Sequence, residues 1–348
     1  MKKRILVAPL NWGLGHATRC IPIIKALDAK GFEPVIASDG VALTLLRKEF
    51  PDVLWIELPS YNVTYAKKGK YFKLKMLKDS PKLLQAIKDE KTEVKAIVKT
   101  HGISGIISDN RLGVYNKNVP CVFMTHQLNV LSGTTTWLST KLHEKYIKRF
   151  DVCWVPDAKG TINLSGKLGH SKNVDLNIKY LGPLSRFTKK SDTESIDLLV
   201  LLSGPEPQRT MLEEKLFKAL KTYMGAIVFV RGVPEKEVNV SCTGNLTVHN
   251  FMTSNLLEET LNKSKLVLSR SGYTTIMDLA KLEKKAFFIP TPGQTEQEYL
   301  AKRLTKQGFV PSCTQDDFDI SMLKKVSDYS GLKCFKSEID YDDLFSLF

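Results

Sequence analysis

The chain has 348 residues, of which 43% are hydrophobic and 25% charged, and its formal net charge at pH 7 is +14. This length is enough for two domains of ordinary size, each with its own core. No apolar run approaches the roughly 18 residues that suggest a membrane span, which argues against an integral membrane protein. The N-terminal apolar stretch is short and lacks a small-residue cleavage site, so we interpret it as a first strand rather than a signal peptide.

The excess of Lys and Arg over Asp and Glu is confined to the first half of the chain. Residues 1–183 hold 29 Lys and Arg against 15 Asp and Glu, whereas residues 184–348 hold 22 of each class. The densest part, residues 65–78, carries six lysines among aromatic and aliphatic residues and no acid. Such a stretch favours an anionic lipid surface or a polyanionic substrate. Nucleic acid is the competing partner, but no helix-turn-helix, zinc or RNP-like signature supports it, and a solvated lysine-rich loop is the simplest alternative.

The cysteines show neither metal-binding nor disulfide spacing. They are Cys20, Cys121, Cys153, Cys242, Cys313 and Cys334. Several lie in apparent strands, which predicts reduced, buried thiols in a cytoplasmic protein.

Apolar, β-branched runs alternate with helix-period segments along the whole chain. In the first half the candidate strands are RILVAPL, PVIAS, VLWIELP, GISGIISD, PCVFMTH and DVCWVPD. In the second half they are IDLLVLLSG, AIVFVRG, LTVHNF, KLVLSRS, KKAFFIP and FVPSC. This alternation is typical of α/β proteins with doubly wound parallel sheets.

A polar, charged stretch after Pro183 marks a linker between the two runs of strands. We therefore predict two Rossmann-like domains, at residues 1–184 and 196–348, joined by a linker at residues 185–195. The last helix is expected to pack back on the first domain. Ligands in this architecture bind at the carboxyl ends of the strands, here facing an interdomain cleft.

The stretch NWGLGHATR, residues 11–19, joins the first strand to a helical pattern. Gly13 and Gly15 give G-x-G, but Thr18 occupies the place of the third glycine of a dinucleotide fingerprint, and no Gly-Lys-Ser/Thr follows. The turn brings backbone close to a ligand and puts His16 at a helix N-terminus, which favours the neutral, proton-accepting imidazole. The alternative is that the glycines serve chain geometry alone and His16 is an N-terminal cap.

Residues 265–304 form the most specific stretch. A strand ends at Ser269, and Ser271 and Gly272 open a helix whose first turn offers N–H groups and hydroxyls to an anion. Asp278, two turns into that helix, is suited to accept both hydroxyls of a ribose.

The next strand leads into amides and carboxylates, which hexose hydroxyls need because each hydroxyl both donates and accepts. These residues are Gln294, Glu296, Gln297 and Glu298. The chain thus offers, in this order, a helix start that can bind phosphate, an acid that can bind a ribose, and polar residues that can bind a hexose. Together they predict a nucleotide-sugar site. A run of helix caps and polar loops is the alternative.

Two further loops support the same site. LLSGPEPQRT again runs strand, glycine turn and helix, and is suited to hold a diphosphate, while the loop after LTVHNF is suited to pack against or bond the base. The residues concerned are Ser203, Gly204 and Arg209 in the first loop, and His249, Asn250 and Phe251 in the second.

The segment SRSGYTTIMDLA resembles the donor motif of family 28 glycosyltransferases. GLGHA resembles the glycine-rich first loop of that family, THQLNVLSG its second acceptor-side loop, LGPLSR the segment entering the linker, and GQTEQEY the loop that holds the donor sugar. Besides the positions already named, the resemblance assigns Gly15, Arg186, Arg270, Tyr273 and Thr274 to the donor, and Asn11, Gln127 and Asn129 to the acceptor side.

This resemblance implies a GT-B fold, a UDP-sugar donor, inversion at the anomeric carbon and no bound metal or other cofactor. Two departures limit what is carried over. SGPEPQ stands where the family has a compact Gly-Gly-Ser pattern, and Gln297 is followed by Glu298 rather than by a second glutamine. The family is therefore carried over, but not N-acetylglucosamine as the donor sugar.

Direct displacement at the anomeric carbon needs a base for the acceptor hydroxyl and stabilisation of the departing diphosphate. We expect His16 to be the base, with Asp109 as the runner-up and His126 as a supporting contact; alternatively, Asp109 orients His16 or caps a helix. The candidates for stabilising the diphosphate are Ser271, Gly272, Arg209 and Arg186.

The sequence thus predicts an inverting, metal-independent transfer of a hexose or N-acetylhexosamine from a UDP-sugar to a lipid-linked or other cell-envelope acceptor, in the cytoplasm or at the inner membrane face. Asp-x-Asp pairs at 315–319 and 340–343 raise a metal-dependent alternative, but their polar surroundings predict solvated acids. A nucleotide-sugar 2-epimerase and a non-catalytic nucleotide-sugar sensor are the rival functions on the same scaffold.

Overall fold

The computed structural model describes residues 2–61, 72–130, 136–171, 175–191, 193–233, 239–335 and 338–348, without the side chains of residues 72–81 and 138. The described chain divides into two units. Unit 1 comprises the residues up to Arg186 together with residues 338–348, and unit 2 comprises residues 187–335. The predicted lysine-rich segment lies outside the described residues as far as residue 71.

Unit 1 is built on one parallel sheet. Its strands are β1 (Arg4–Pro9), β2 (Glu33–Ser38), β3 (Trp55–Glu57), β4 (Ile103–Asp109), β5 (Cys121–Met124), β6 (Val152–Val155) and β7 (Ile178–Tyr180). Its connecting helices are α1 (Leu14–Ala29), α2 (Gly40–Glu49), α3 (Phe72–His101) and α4 (Thr136–Ile147). The strand order is β3-β2-β1-β4-β5-β6-β7, so the order reverses between β1 and β4. Both strands are buried along almost their whole length, as expected for a parallel sheet covered on both faces.

Unit 2 repeats this plan with a shorter sheet. Its strands are β8 (Leu198–Leu201), β9 (Ile227–Val230), β10 (Val240–Thr243), β11 (Leu246–His249), β12 (Leu266–Ser269) and β13 (Lys285–Phe288). Its α-helices are α5 (Gln208–Ala219), α6 (Ser254–Asn262), α7 (Tyr273–Leu282) and α8 (Thr295–Lys306). The order is β10-β11-β9-β8-β12-β13, so the reversal here falls between β8 and β12. In open α/β sheets such a reversal leaves a crevice at the carboxyl ends of the strands, where ligands bind.

The edges of the sheets differ from the sequence prediction. FVPSC forms no strand of the sheet and contributes only an isolated bridge between Ser312 and Phe288, because Pro311 has no N–H to extend a ladder. The edge strand β10 was not predicted and runs antiparallel to β11. All four of its residues are exposed, and a run of four residues is the minimum from which alternation predicts a strand.

A short C-terminal helix, α9 (Tyr341–Phe345), packs on unit 1. The ring of Phe345 lies 5.8 Å from that of Phe32, and the ring of Phe348 lies 6.4 Å from that of Trp154. Gly105 in β4 makes room for this contact, since a Cβ there would lie 2.3 Å from the Phe348 ring.

The longest helix, α3, has 30 residues and mixes lysines with apolar positions. Within the described ranges, no helix is both long enough and apolar enough to cross a membrane.

Candidate active site

The strand-order reversal of unit 1 brings together two segments that are far apart in sequence. After β1 the chain turns at Gly13, whose φ of 81° suits glycine, and α1 begins at the next residue. His16 is therefore in the first turn of α1, as predicted. Asp109 is the last residue of β4 and pairs with Pro9 at the end of β1. Both side chains thus lie at the carboxyl edge of the sheet, where ligands bind in this fold.

His16 and Asp109 are in direct contact. The distance from His16 Nδ1 to Asp109 Oδ1 is 3.1 Å, and the carboxylate is fully buried whereas the imidazole is 14% exposed. Burial lowers the pKa of His16, and Arg19 and His126 lower it further, while Asp109 opposes them. A neutral, partly accessible imidazole is the form that accepts a proton.

Asp109 is also held by Arg19, a residue that the sequence analysis did not select. Arg19 Nε donates to Asp109 Oδ2 at 2.6 Å, and Nη2 donates to Oδ1. Burial alone raises the pKa of Asp109, but Arg19 and His16 outweigh it and bring the pKa to about 2. Such a carboxylate is a weak base at neutral pH, so the geometry favours its orienting role over its role as runner-up base.

The sequence analysis missed Arg19 because a single charged residue within an apolar helical segment gives no sign of a functional role. The available signal was its spacing: Arg19 lies three residues after His16, so one helix face presents both side chains. It is 2% exposed, and an almost fully buried arginine requires partners.

His126 and Cys20 complete this cluster. Arg19 Nη1 lies 2.9 Å from His126 Nδ1, which places His126 beside the other two predicted catalytic residues. The thiol of Cys20 lies 3.7 Å from Asp109 Oδ2, and burial raises its pKa, so it stays protonated.

Two of the predicted acceptor-side amides have structural partners. Asn11 donates from Nδ2 to Asp39 at 3.0 Å and accepts from the Ala42 N–H at 3.3 Å, which ties it to the start of α2. Asn129 donates from Nδ2 to the Lys167 carbonyl and anchors the loop after β5. Gln127 is partly exposed in the same loop. Acceptor binding by these three residues stays a prediction.

The strand-order reversal of unit 2 brings three loops together around Arg270. This guanidinium is 1% exposed and donates to the carbonyls of Ile289, Pro290 and Gln208 and to Gln315 Oε1. Within the described ranges no carboxylate pairs with it, and burial lowers its pKa to about 10, so it stays charged at neutral pH. A buried, unneutralised cation attracts an anion, and α7 adds the positive end of its dipole three residues further on.

The loop after β13 is organised by Gln297, which the sequence analysis placed in the sugar site. Its Oε1 accepts from the Thr291 N–H at 2.9 Å, its Nε2 donates to Gln294 Oε1 at 2.6 Å, and its carbonyl accepts from the Ser271 hydroxyl at 2.8 Å. Glu298 accepts from a backbone N–H of the same loop at 2.8 Å and is otherwise exposed. Gln297 therefore holds the loop, while Gln294 and Glu298 lie further outside it.

The glycine turn after β8 reaches the same place. Gly204 has a φ of 111°, and a Cβ on it would lie 3.6 Å from the hydroxyl of Thr291. That hydroxyl is buried and has no hydrogen-bond partner among the residues that the structure describes. Gly232, after β9, packs so closely that a Cβ would lie 2.3 Å from the Leu202 carbonyl. The loops after β8, β9, β12 and β13 thus form one rim, with Ser203 exposed on it.

Arg209 does not present a free charge to this rim. It donates from Nε to Glu206 at 2.6 Å and pairs through Nη1 with Glu213, which also receives Arg231 Nε at 2.8 Å. Two carboxylates offset these two arginines, whereas Arg270 has no carboxylate partner among the residues that the structure describes. Sequence reasoning placed Arg270 in the donor motif but gave the phosphate role to Arg209, because ion pairing is invisible in a single sequence.

The remaining donor candidates of unit 2 lie on α7 and in the loop after β11. Asp278 is partly exposed on α7, and Tyr273 and Thr274 form the first turn of that helix. Asn250 holds the loop after β11, accepting at Oδ1 from the N–H groups of Asn239 and Phe251 at 2.8 and 2.9 Å. Three further donor assignments stay predictions: the ring of Phe251, and in unit 1 the turn at Gly15 and the half-buried Arg186.

The Asp-x-Asp segments act as helix caps. Asp319 accepts from the Ser321 N–H at 2.9 Å, and Asp340 accepts from the N–H groups of Asp342 and Asp343 at 3.0 and 3.1 Å. Whether the reaction needs a metal stays a prediction.

Comparison with known proteins tests the resemblance. Residues 208–330 match the model of the "Glycosyltransferase family 28 C-terminal domain". The matched segment runs from α5 through α8 and contains the buried Arg270 and the ribose candidate Asp278. The predicted resemblance to family 28 is confirmed.

Curated relatives extend the match over most of the chain. The glycosyltransferase MK0977 of Methanopyrus kandleri is 22% identical over 315 residues, which are 85% of each chain. The UDP-N-acetylglucosamine--N-acetylmuramyl-(pentapeptide) pyrophosphoryl-undecaprenol N-acetylglucosamine transferase of Clostridium tetani is 24% identical over 327 residues, 89% of this chain and 84% of the relative.

A solved structure tests the fold. The glycosyltransferase SnogD from Streptomyces nogalater superposes with a TM-score of 0.61 over 95% of this chain and 92% of its own, at 14% identity. The predicted GT-B fold, with its two parallel-sheet units, is confirmed.

Proposed function

We propose that the chain, which has the GT-B fold, is a family 28 glycosyltransferase that transfers a hexose or N-acetylhexosamine from a UDP-sugar to an anionic, lipid-linked or other cell-envelope acceptor, with inversion. The observation that carries the donor half is the rim of unit 2, where Arg270 is a buried cation without a carboxylate partner among the described residues. A diphosphate supplies the negative charge that this site lacks. We choose UDP because the Clostridium tetani relative is named for its UDP-N-acetylglucosamine donor.

The proposed reaction is a single displacement. The acceptor hydroxyl oxygen forms a bond to the anomeric carbon, whose bond to the diphosphate oxygen breaks, and UDP leaves with that electron pair. His16 takes the hydroxyl proton, and Arg270 with the start of α7 stabilises the departing charge. Asp278 binds the ribose hydroxyls, and Gln294 and Glu298 contact the sugar. No step uses a metal ion, because arginine and helix dipole supply the positive charge.

The acceptor side is proposed from charge. The excess of Lys and Arg lies entirely before residue 184, and six of those lysines fall within residues 65–78. We expect this segment to attract an anionic acceptor at the inner membrane face. Replacing its lysines with glutamine should reduce sedimentation with liposomes of anionic lipid but not with neutral liposomes. Unchanged sedimentation would remove membrane contact from the proposal.

The donor is tested by calorimetry with UDP, UDP-hexoses, UDP-N-acetylhexosamines, GDP, ADP and NAD. We expect uridine nucleotides to bind the wild type and to lose about tenfold or more in affinity in Asp278→Ala, since a carboxylate hydrogen bond contributes about 1.5–3 kcal/mol. Asp328→Ala is the matched control, because Asp328 is an exposed acid of the same unit at the end of a 3₁₀ helix. Equal UDP affinity in the wild type and in Asp278→Ala would contradict the donor assignment.

The rival functions are separated by product analysis of the same UDP-sugar. A transferase releases UDP faster when an acceptor is supplied. A 2-epimerase changes the sugar without an acceptor, and a sensor does neither.

A further inference from the structure

Two histidines at the strand-order reversal of unit 1 share one guanidinium. Arg19 Nη2 lies 2.8 Å from His16 Nδ1, and Arg19 Nη1 lies 2.9 Å from His126 Nδ1. The side chain of Arg19 is 1% exposed, and the fork of Nε and Nη2 on Asp109 fixes its plane. Both imidazoles therefore meet the guanidinium through the same ring nitrogen.

The chemistry of arginine decides what those nitrogens carry. A guanidinium has five N–H donors and no acceptor, and it stays protonated in proteins. A ring nitrogen that accepts a hydrogen bond from it must offer a lone pair. The proton of a neutral imidazole bonded to Arg19 in this way sits on Nε2. An imidazolium would point a second N–H at the guanidinium, which both the geometry and the like charge disfavour.

We propose that Arg19 is a positioning residue that keeps His16 uncharged and fixes His126 as the Nε2–H tautomer, a hydrogen-bond donor rather than a base. Asp109 holds Arg19 in the plane that reaches both rings. The two histidines therefore have different roles, although both stand beside the same cation.

His16 differs from His126 because a carboxylate also faces its Nδ1. Asp109 Oδ1 lies 3.1 Å from that nitrogen, slightly further than Arg19 Nη2. A proton on Nδ1 has an acceptor there, and in that tautomer Nε2 is free to take a proton. His16 is thus the histidine of this pair that serves as a base, which rests on the proposed function.

The titratable and charged groups that face His16 come from three elements. Arg19 and Cys20 lie on α1 with it, Asp109 ends β4, and His126 follows β5. Burial and the two cationic or potentially cationic neighbours disfavour imidazolium, and Asp109 opposes them.

The experiment is ¹⁵N NMR of the full chain labelled at its histidine ring nitrogens, with His16→Gln and His126→Gln used for assignment. At neutral pH we expect His126 to show an unprotonated Nδ1 and a protonated Nε2. On acidification His16 should become imidazolium at a lower pH than N-acetylhistidine in the same tube. A proton on Nδ1 of His126 in the wild-type protein would overturn the proposal.

Arg19→Lys provides the second measurement, because it keeps the positive charge on Asp109 but replaces the planar fork with one ammonium. We expect His126 to lose its fixed tautomer, and kcat to fall about tenfold or more while KM for the donor stays within about twofold. Arg111→Lys is the matched control: Arg111 is another fully buried arginine of unit 1, but it pairs with Asp39 and Glu90. Histidine spectra that are identical in wild type and Arg19→Lys would contradict the proposal. If Arg19→Lys does not fold, the wild-type spectrum decides.

The NMR spectra and the activity measurements test two separate claims, the role of Arg19 and the role of His16 as the base. Tautomers as expected, together with full transfer by His16→Gln, would support the role of Arg19 and remove the base from the proposed function. Transfer that depends on His16, with His126 protonated on Nδ1, would do the reverse.

Discussion

Arg19 and Asp109 form an ion pair that solvent does not reach. Arg19 Nε donates to one carboxylate oxygen at 2.6 Å and Nη2 to the other, with side-chain exposures of 1% and 0%. The pair joins the first helix of the chain to the end of β4, and His16 and His126 are bonded to it. Its integrity therefore determines both the stability of unit 1 and the protonation of the proposed catalytic histidines.

Asp109→Ala should destabilise unit 1 by about 3–5 kcal/mol, because it leaves the buried Arg19 without its carboxylate. Urea unfolding followed by tryptophan fluorescence measures this selectively, since every tryptophan belongs to unit 1. They are Trp12, Trp55, Trp137 and Trp154. Asp175→Ala is the control, because Asp175 is fully exposed in its pair with Lys148, and it should leave the transition unchanged. Equal transitions for the two variants would contradict the importance of the buried pair.

The same pair predicts how the stability of unit 1 changes with pH. The pKa of Asp109 is about 2 in the folded chain, below the value of about 3.9 expected when unfolded. The unfolded chain thus binds more protons at this site, so the stabilisation is present above about pH 4 and is lost as the pH falls towards 2. The urea midpoint of the wild type should fall over this window more steeply than that of Asp109→Ala.

His16→Gln should lower kcat by about 10²–10⁴-fold, the usual contribution of a general base, while leaving UDP affinity unchanged. Burial and Arg19 lower the pKa of His16, so the wild-type rate should persist to a lower pH than an ordinary histidine allows, with its acid limb below about 6.5. His101→Gln, at the end of α3, is the matched control and should keep the wild-type profile. A full rate in His16→Gln would show that another group takes the proton.

Arg270→Met should reduce UDP affinity by about tenfold to a hundredfold, which corresponds to the loss of a charged hydrogen bond, and should leave the affinity for uridine unchanged. The variant also leaves the four acceptors of Arg270 unpaired, so it should lose stability, and thermal melting is needed to show that it is folded at the temperature of the titration. Calorimetry at two salt concentrations measures the effect. Lys302→Gln, which removes an exposed charge from α8, is the control. Equal losses for UDP and uridine would mean that the loops have collapsed.

Thr291→Val should move stability and affinity in opposite directions. The Thr291 hydroxyl is buried and has no hydrogen-bond partner among the described residues, so an apolar replacement should leave the free protein as stable or more stable. If the hydroxyl bonds the donor, UDP-sugar affinity should fall about threefold to tenfold, since such a bond contributes about 0.5–1.5 kcal/mol. Thermal melting with and without UDP compares the two effects. An unchanged shift on adding UDP would place the hydroxyl outside the ligand site.

Glu298→Gln should raise the preference for N-acetylhexosamine donors over plain hexoses by up to about tenfold. An amide donates to the acetamido carbonyl, whereas a carboxylate only accepts and repels it. The amide oxygen still accepts from the Gly293 N–H, so the loop should hold its shape. Competition between UDP-glucose and UDP-N-acetylglucosamine measures the ratio. An unchanged ratio would place Glu298 away from the sugar.

The sequence alone was enough to predict the fold and the resemblance to family 28. Buried strands alternating with helices predict two parallel sheets, and the glycine turn at Gly13 fixes where α1 starts, because both signals are local in the chain. Local order in the chain likewise put His16 and Asp278 on their helices, whereas Arg270 was named only through the family resemblance. The exposed edge strand β10 was missed because a run of four residues is the minimum from which alternation predicts a strand.

Only the tertiary structure decided which of these residues act together. Arg19 and Asp109 are 90 residues apart, and nothing in either segment indicates that they pair. Likewise, two glutamates engage the predicted phosphate ligand Arg209, whereas Arg270 is left as the unpaired buried cation within the described ranges. The physical reason is that the charge state and the role of a side chain depend on burial and on partners, and both are set by strand order rather than by neighbours in sequence.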